Sequence, residues 1–202
     1  MMVNNEAKDE LIKLFEVGLS RAGSMLNSIA VSPIDLEVSG IEILSPQELE
    51  EKLTQRFGAI KITVMELVFT GEFEGNVRLI FPQHSAAFLI EKMSSEERKN
   101  LEGKELKKGV ICEVGNILFN GIMGVISTVM EYSITYMVPE YEEGRIAQLF
   151  VSPNTSSYST ALLAKIQVDK GKDLLFCFLV DSLDSIIERS QNLAEPSRSP
   201  TP

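Results

Sequence analysis

The feature that most constrains this chain is that it reads twice. Glu16-Val17-Gly18 and Glu113-Val114-Gly115 are the same tripeptide, 97 positions apart. Each stands inside a long stretch of helical periodicity, followed by a strand, a hairpin and a short helix. EFEGNVRLIF and then AAFLIEKM in the first half parallel VDKGKDLLFCF and then DSLDSIIERS in the second. Repeated units of this kind bury a continuous core only by packing on each other. The expectation is an α+β layered fold. A mainly antiparallel sheet of about six strands, with an internal pseudo-two-fold, carries the two long helices. One domain then spans 1–192, built from repeats at about 8–94 and 104–190. The tail 193–202 has too few apolar residues to repay ordering and is expected to be disordered.

Local signals fill in the units. From Asp9 to Ala30 apolar residues recur at helical spacing, and Pro33 ends the helix. Asp35 to Leu44 alternates as a strand, with Gly40 as a bulge. Ser45-Pro46-Gln47-Glu48 is a capping box with Pro at the first helical position. A strand from Ile60 to Phe73, with Gly71 as a further bulge, turns at Gly75-Asn76 into Val77–Phe81. A short helix follows over Ala86–Met93, and Ser95–Leu101 starts another turn. The second long helix runs from about Lys104 to Met130. Tyr132–Val138 reads as a strand ending at Pro139, and Glu140–Gly144 as an acidic turn. Ile146–Val151 is apolar and Ser152–Ser159 is a loop. Thr160–Val168 and Asp173–Val180 form the second hairpin, and Asp181 or Ser182 caps a last helix to about Ser190.

Charge narrows the function. With 29 acidic and 19 basic side chains the net charge is −10. That argues against binding a nucleic-acid backbone, which needs a basic face, and against an anionic membrane surface. No uninterrupted apolar run approaches the roughly 18 residues that span a bilayer, and the N-terminus is polar, so the expected location is the cytoplasm. Two cysteines make no disulfide framework. Cys112 and Cys177 are expected as buried thiols.

The second long helix holds the one candidate site. Gly109, Glu113, Asn116, Asn120 and Ser127 share a stripe by i, i+3/i+4 spacing on an otherwise apolar helix. A solvated face is the plain reading. Yet such faces favour Lys, Glu and Arg, and Asn is a poor helix former. Two Asn beside small residues look selected for contact.

Glu113-x-x-Asn116, followed after 22 residues by Pro139, resembles the signature of the CheC/CheX/FliY family, phosphatases of the phosphorylated chemotaxis regulator CheY. The resemblance spans about residues 8–190 and includes the hairpin at Phe73–Pro82. It implies that Asn116 enters the partner's active site and orients the water that attacks an aspartyl phosphate. Glu113 would pair with the partner's active-site Lys. Asn120 would add a contact, and Pro139 would fix the turn after a strand. No cofactor is implied on this chain; Mg2+ is expected on the partner. Two positions depart from the pattern. Gly109 stands where the signature has Asp or Ser. In the first half Glu16 is kept, but the Asn position is Leu19 and the opening position is Ile12, so the first site is degenerate.

The implied partner is a phosphorylated CheY-like receiver domain, with CheD or flagellar switch proteins as further partners of the family. An alternative is a non-enzymatic scaffold that binds a receiver or switch component, with the Glu140-Tyr141-Glu142-Glu143 cluster as an acidic docking edge. A third reading makes the stripe a homodimer face. His84, the single histidine, reads as a loop or helix-start residue. One His and two distant Cys give no zinc spacing, and no phosphate-binding glycine loop is present.

Overall fold

A computed structural model describes residues 5–94, 103–150 and 158–194. The first half comprises α1 (Asn5–Ile29), β1 (Glu37–Leu44), α2 (Pro46–Phe57), β2 (Ile62–Gly71), β3 (Gly75–Phe81) and α3 (Gln83–Met93). The second comprises α4 (Gly103–Met130), β4 (Ile134–Tyr136), β5 (Glu140–Gly144), α5 (Ile146–Leu149), β6 (Thr160–Asp169), β7 (Lys172–Val180) and α6 (Asp184–Ala194). The two series match element by element, with β4 and β5 together standing where the first half has β1.

All strand pairs are antiparallel, in the order β1-β6-β7-β3-β2-β4, with β5 also on β2. This order is symmetric about the β3–β7 seam. Each hairpin carries on its outer strand the edge strand of the other half, so neither half completes a sheet alone. The duplication expected from the sequence is therefore an exchange of edge strands.

Among the described residues the sheet has seven strands rather than about six, because one edge position is split. Between β4 and β5 lie Met137, Val138 and Pro139. The Met137 N–H still donates to the Val68 carbonyl at 2.9 Å, but Pro139 has no N–H and cannot continue the ladder. The strand expected over Tyr132–Val138 thus shrinks to β4. The acidic turn expected at Glu140–Gly144 is instead strand β5, with Tyr141 opposite Met65 on β2.

Helices cover both faces. One core cluster lies between the sheet and α1, α3, α4 and α6; another lies on the opposite face beneath α2 and α5. Double coverage is why the central strand β7 reads as a continuous apolar run. The same burial surrounds Arg78 on β3, only 2% exposed. Its guanidinium donates to Glu66 at 3.0 and 3.1 Å and to the Leu149 carbonyl at 2.9 Å, and it stacks 4.7 Å from the Phe150 ring centroid. A buried cation persists only with such partners, and here they tie α5 to the sheet. α4 is long and apolar enough to cross a membrane, yet 67% of that apolar stretch is buried inside the protein, which makes it a core helix.

Other details were read correctly or shift slightly. Gly40 sits at a register shift, and the Ser45–Glu48 capping box is formed. Gly71 causes no register shift; it ends β2 at φ +134, where a Cβ would meet the Ser133 carbonyl. Gly75 and Asn76 belong to β3 rather than to the turn. Residues 146–149 form the short helix α5. α3 begins earlier than expected, at Gln83, with exposed His84 in its first turn. The Asp184 N–H donates to the Ser182 hydroxyl at 3.0 Å, and α6 runs to Ala194, past the expected start of the tail. The turn expected at Ser95–Leu101, most of the loop 152–159 and the tail from 195 lie outside the described residues. Cys177 is buried, but Cys112 is only half-buried.

The repeated glycine now has a reason. A Cβ at Gly18 would lie 2.8 Å from Ile122 Cα and 3.0 Å from the Gly121 carbonyl oxygen, so α1 and α4 meet backbone to backbone. A Cβ at Gly115 would meet the side chain of Met65, which is flexible. Gly18→Ala should therefore destabilise the protein by about 1–3 kcal/mol, as overpacking against backbone does. Gly115→Ala should cost clearly less. Urea unfolding of the two variants, compared by midpoint at unchanged slope, measures the difference.

Candidate functional site

α4 presents the polar stripe at the edge of the helical layer. Asn116, Asn120 and Gly109 are exposed, while Glu113 and Ser127 are half-buried. The rest of the helix, from Val110 through Met130, is largely core. This stripe adjoins a cavity with apolar walls. A cleft of about 340 Å³ lies between α4 and the split sheet edge. Asn116, Phe119, Asn120, Met123 and Gly124 line it from the helix. Leu67, Tyr136, Met137 and Pro139 line it from the sheet side. Asn116, Asn120 and Pro139 are thus brought together. Glu113 and Gly109, further toward the helix N-terminus, do not line the cleft.

The far wall is pinned to the helix. The Tyr136 hydroxyl donates to the Met123 carbonyl at 3.4 Å and is also hydrogen-bonded to Ser127. Burial raises the Tyr136 hydroxyl above its ordinary pKa, the Ser127 contact working the other way. Beside it Met137 and Val138 project into solvent, 56% and 86% exposed. Together Tyr136, Met137 and Val138 form an apolar knuckle next to the two carboxamides.

At the other end of the stripe β5 is tied to the first turns of α4. The Tyr141 hydroxyl donates to Glu143 Oε1 at 2.5 Å, and Lys107 Nζ lies 2.6 Å from the same oxygen. The Lys108 ammonium sits 5.6 Å from the Tyr141 ring centroid. Lys107 and then Tyr141 hold the Glu143 carboxyl below its usual range. A lowered carboxyl contributes stability above its unfolded pKa and loses it as pH falls through the folded value. The tie is therefore in place at neutral pH. Burial raises the Tyr141 hydroxyl and the Cys112 thiol. Cys112 therefore lacks the lowered pKa of a reactive cysteine. Within the acidic edge at 140–143, Glu143 is paired with Lys107 on α4, whereas Glu140 and Glu142 are exposed.

The first half shows what the second avoids. Leu19, the counterpart of Asn116, is 2% exposed and sits in the core cluster with Ile34, against which Leu36 also packs. Asn27, the counterpart of Gly124, donates from Nδ2 to the Ile34 carbonyl at 3.0 Å. It also accepts the Ile34 N–H at 2.8 Å. That two-point clasp draws the lead-in to β1 onto α1. Glu16 remains exposed, but it faces no open carboxamide site. At Gly124 no atom lies within 4 Å of where a Cβ would stand.

Of the residues that the sequence singles out, Asn116, Asn120 and Pro139 line the cleft; Gly124, Tyr136 and Met137 line it too and are not singled out by the sequence pattern. Gly124 carried a signal: a helix-interior glycine on the same stripe, one turn beyond Asn120, at a cost of about 1 kcal/mol against Ala. Among the described residues no group of three His, Cys, Asp or Glu side chains is placed to hold a metal ion.

No family model and no curated protein matches the sequence. Solved structures do match. FliY from Thermotoga maritima aligns with TM-score 0.67 at 15% identity, over 96% of this chain and 98% of that one. FliM in the FliM–SpeE complex from H. pylori aligns with TM-score 0.64 at 16% identity, over 94% and 97%. The CheX–CheY–BeF3–Mg2+ complex from Borrelia burgdorferi matches with TM-score 0.52 at 17% identity, over 85% and 99%. The chain therefore has the fold shared by CheX, FliY and the FliM middle domain, the CheC-like fold of chemotaxis and flagellar switch proteins.

Gly109 stands exposed on α4 with no atom within 4 Å of a built Cβ. Gly109→Ala should stabilise the protein by about 0.5–1 kcal/mol through helix propensity alone. Thermal unfolding should show the midpoint rising. A fall would mean that Gly109 meets a constraint that its surroundings do not reveal.

Proposed function

We propose that this chain accelerates hydrolysis of the aspartyl phosphate on a CheY-like receiver domain, with α4 as the working element. The observation that carries the reading is the exposure of Asn116 at the rim of a cleft on a buried helix, with Pro139 across it. Support comes from the fold, since the Borrelia CheX was solved with CheY, BeF3 and Mg2+.

The chemistry asks little of this chain. An aspartyl phosphate is already a reactive acyl phosphate, and the receiver supplies the Mg2+ and a Lys around it. A positioned water is what remains. The Asn116 carboxamide offers one acceptor and two donors, enough to hold water in line with the phosphorus, as a glutamine does in GTPases. Glu113, one turn away, pairs with the receiver's lysine and sets the angle of approach. Asn120 contacts the partner from the next turn. The reading places the protein in the cytoplasm, where receivers act.

A second reading, a scaffold that binds a receiver or a flagellar switch partner without chemistry, is favoured by Gly109, by the loss of the first-site Asn to buried Leu19 and by the likeness to FliM. The two readings separate in one assay. Decay of a phosphorylated CheY-type receiver should speed up with the wild-type chain. Asn116→Ala should lose about a hundredfold or more of that acceleration, the usual effect of removing one preorganised polar group. Leu19→Asn should add no activity, because position 19 is buried in the core and cannot reach a partner. It should also cost about 2–4 kcal/mol of stability by burying a carboxamide in the core. Unchanged decay despite measurable receiver binding would establish the scaffold.

A further inference from the structure

We propose that the cleft beside Asn116 is a specificity pocket that receives an apolar side chain of the receiver domain, projected from next to its phosphorylated aspartate. This rests on the receiver-directed reading of Asn116. It adds the second point of contact that fixes which receiver is accepted.

Asn116 forms the rim of the cleft, and Asn120 and Gly124 continue it along the helix. A partner whose active site takes in the Asn116 carboxamide must lie across the cleft mouth. It then either fills the cleft or seals it as a void. An apolar cavity of about 150 Å³ already takes up a benzene molecule, and this one measures about 340 Å³. A sealed void of that size, lined by Leu67, Phe119, Met123 and Met137, would forfeit dispersion contacts along every wall. Filling it is the lower-energy outcome.

The lining states the chemistry of the occupant. The floor and far wall are apolar, while the mouth carries the Asn116 and Asn120 carboxamides. An aromatic or long aliphatic side chain with a polar group at its base fits that order. The Met137-Val138 knuckle beside the mouth extends the apolar contact onto the partner's surface, as the core of an interface does.

The other half supplies an internal comparison. The corresponding groove on α1 is open but differently lined: Ser20, Gly23, Ser24, Asn27 and Ser28 make it largely polar, and Leu19 stands where the second half has Asn116. There Asn27 is clasped to Ile34, whereas its counterpart Gly124 leaves free space beside Asn120 in a cleft with an apolar floor. Gly124 is therefore a specificity-determining residue.

The test fills the pocket without touching Asn116. Gly124→Leu has open space for its Cβ and improves helix propensity, so the variant should fold at least as stably as wild type. Binding is measured to a CheY-type receiver domain activated with beryllofluoride and Mg2+, alongside the decay of the phosphorylated form. Gly124→Leu should weaken binding by about tenfold or more, a hot-spot effect. It should raise KM with little change in kcat, whereas Asn116→Ala should lower kcat. Ser20→Leu, in the corresponding groove of α1, should leave both unchanged. Full-strength binding by a folded Gly124→Leu would overturn the pocket while leaving the phosphatase reading intact; a cleft meant for a small molecule would give that same result. A wild-type chain that neither binds nor accelerates would remove the receiver reading, and this proposal with it.

Discussion

The backbone-to-backbone crossing of α1 and α4 sets almost everything else. Gly18 and Gly121 let the two helices approach until a single added methyl would strike Ile122 Cα. That approach fixes the rotation of α4 about its own axis. With Gly121 and Ile122 turned toward α1, and Gly115 and Phe119 turned toward the sheet, the 116–120 stripe is left pointing out past the sheet edge. The exchanged edge strands then finish the geometry. β4 and β5 belong to the second half but hang on β2 of the first. The wall that faces Asn116 is therefore held by hydrogen bonds from the other repeat.

Duplication gave two equivalent grooves, and a few side chains made them different. In the first half Leu19 adds apolar burial, Asn27 satisfies both backbone groups of Ile34, and the groove that remains is lined mainly by polar side chains. In the second the equivalent burial is given up. Gly124 leaves space, and the sheet edge is interrupted by Pro139, with Tyr136 bonded to Met123 and Ser127 in place of the Asn27 clasp. One repeat carries stability and the other carries an exposed, partly apolar surface. Exposed Met137 and Val138 are costly in isolation and sensible at a contact.

The repeat, the two long helices, both hairpins and the α2 cap were legible in the sequence because each is a local pattern: a period, a capping box or a turn. The split edge was not. Glu140-Tyr141-Glu142-Glu143-Gly144 is acidic, ends in Gly and has one aromatic, which is how a turn reads. It is a strand because β2 has an open edge and because Tyr141 and Glu143 are bound from Lys107 and Lys108 on α4. None of that is encoded within five residues. The site divides the same way. Glu113, Asn116 and Asn120 share a helix stripe and can be read from spacing. Pro139 could be counted from Asn116 by resemblance. Tyr136 and Met137 belong to the site only through the pairing of β4 with β2. The departure of Arg78 from a clean apolar pattern had a tertiary reason too: its partners Glu66, Leu149 and Phe150 lie on two other elements.

A site whose acting group is a carboxamide makes mechanical demands more than electrostatic ones. Asn has no proton to give up near neutral pH, so no neighbouring charge has to tune it. What matters is where its two polar atoms stand, and misplacement by about 1 Å can cost a hundredfold. That explains the investment in α4. Its turns are locked by Val110, Ile111, Val114, Ile117, Leu118 and the residues beyond them, all in the core. A helix held this firmly tolerates Gly109 and Gly124 on its outer face, each of which costs about 1 kcal/mol in propensity. An isolated helix with those glycines and two Asn would fray. Burial on three sides turns the same sequence into a rigid mount whose weak positions all lie on the face that meets a partner.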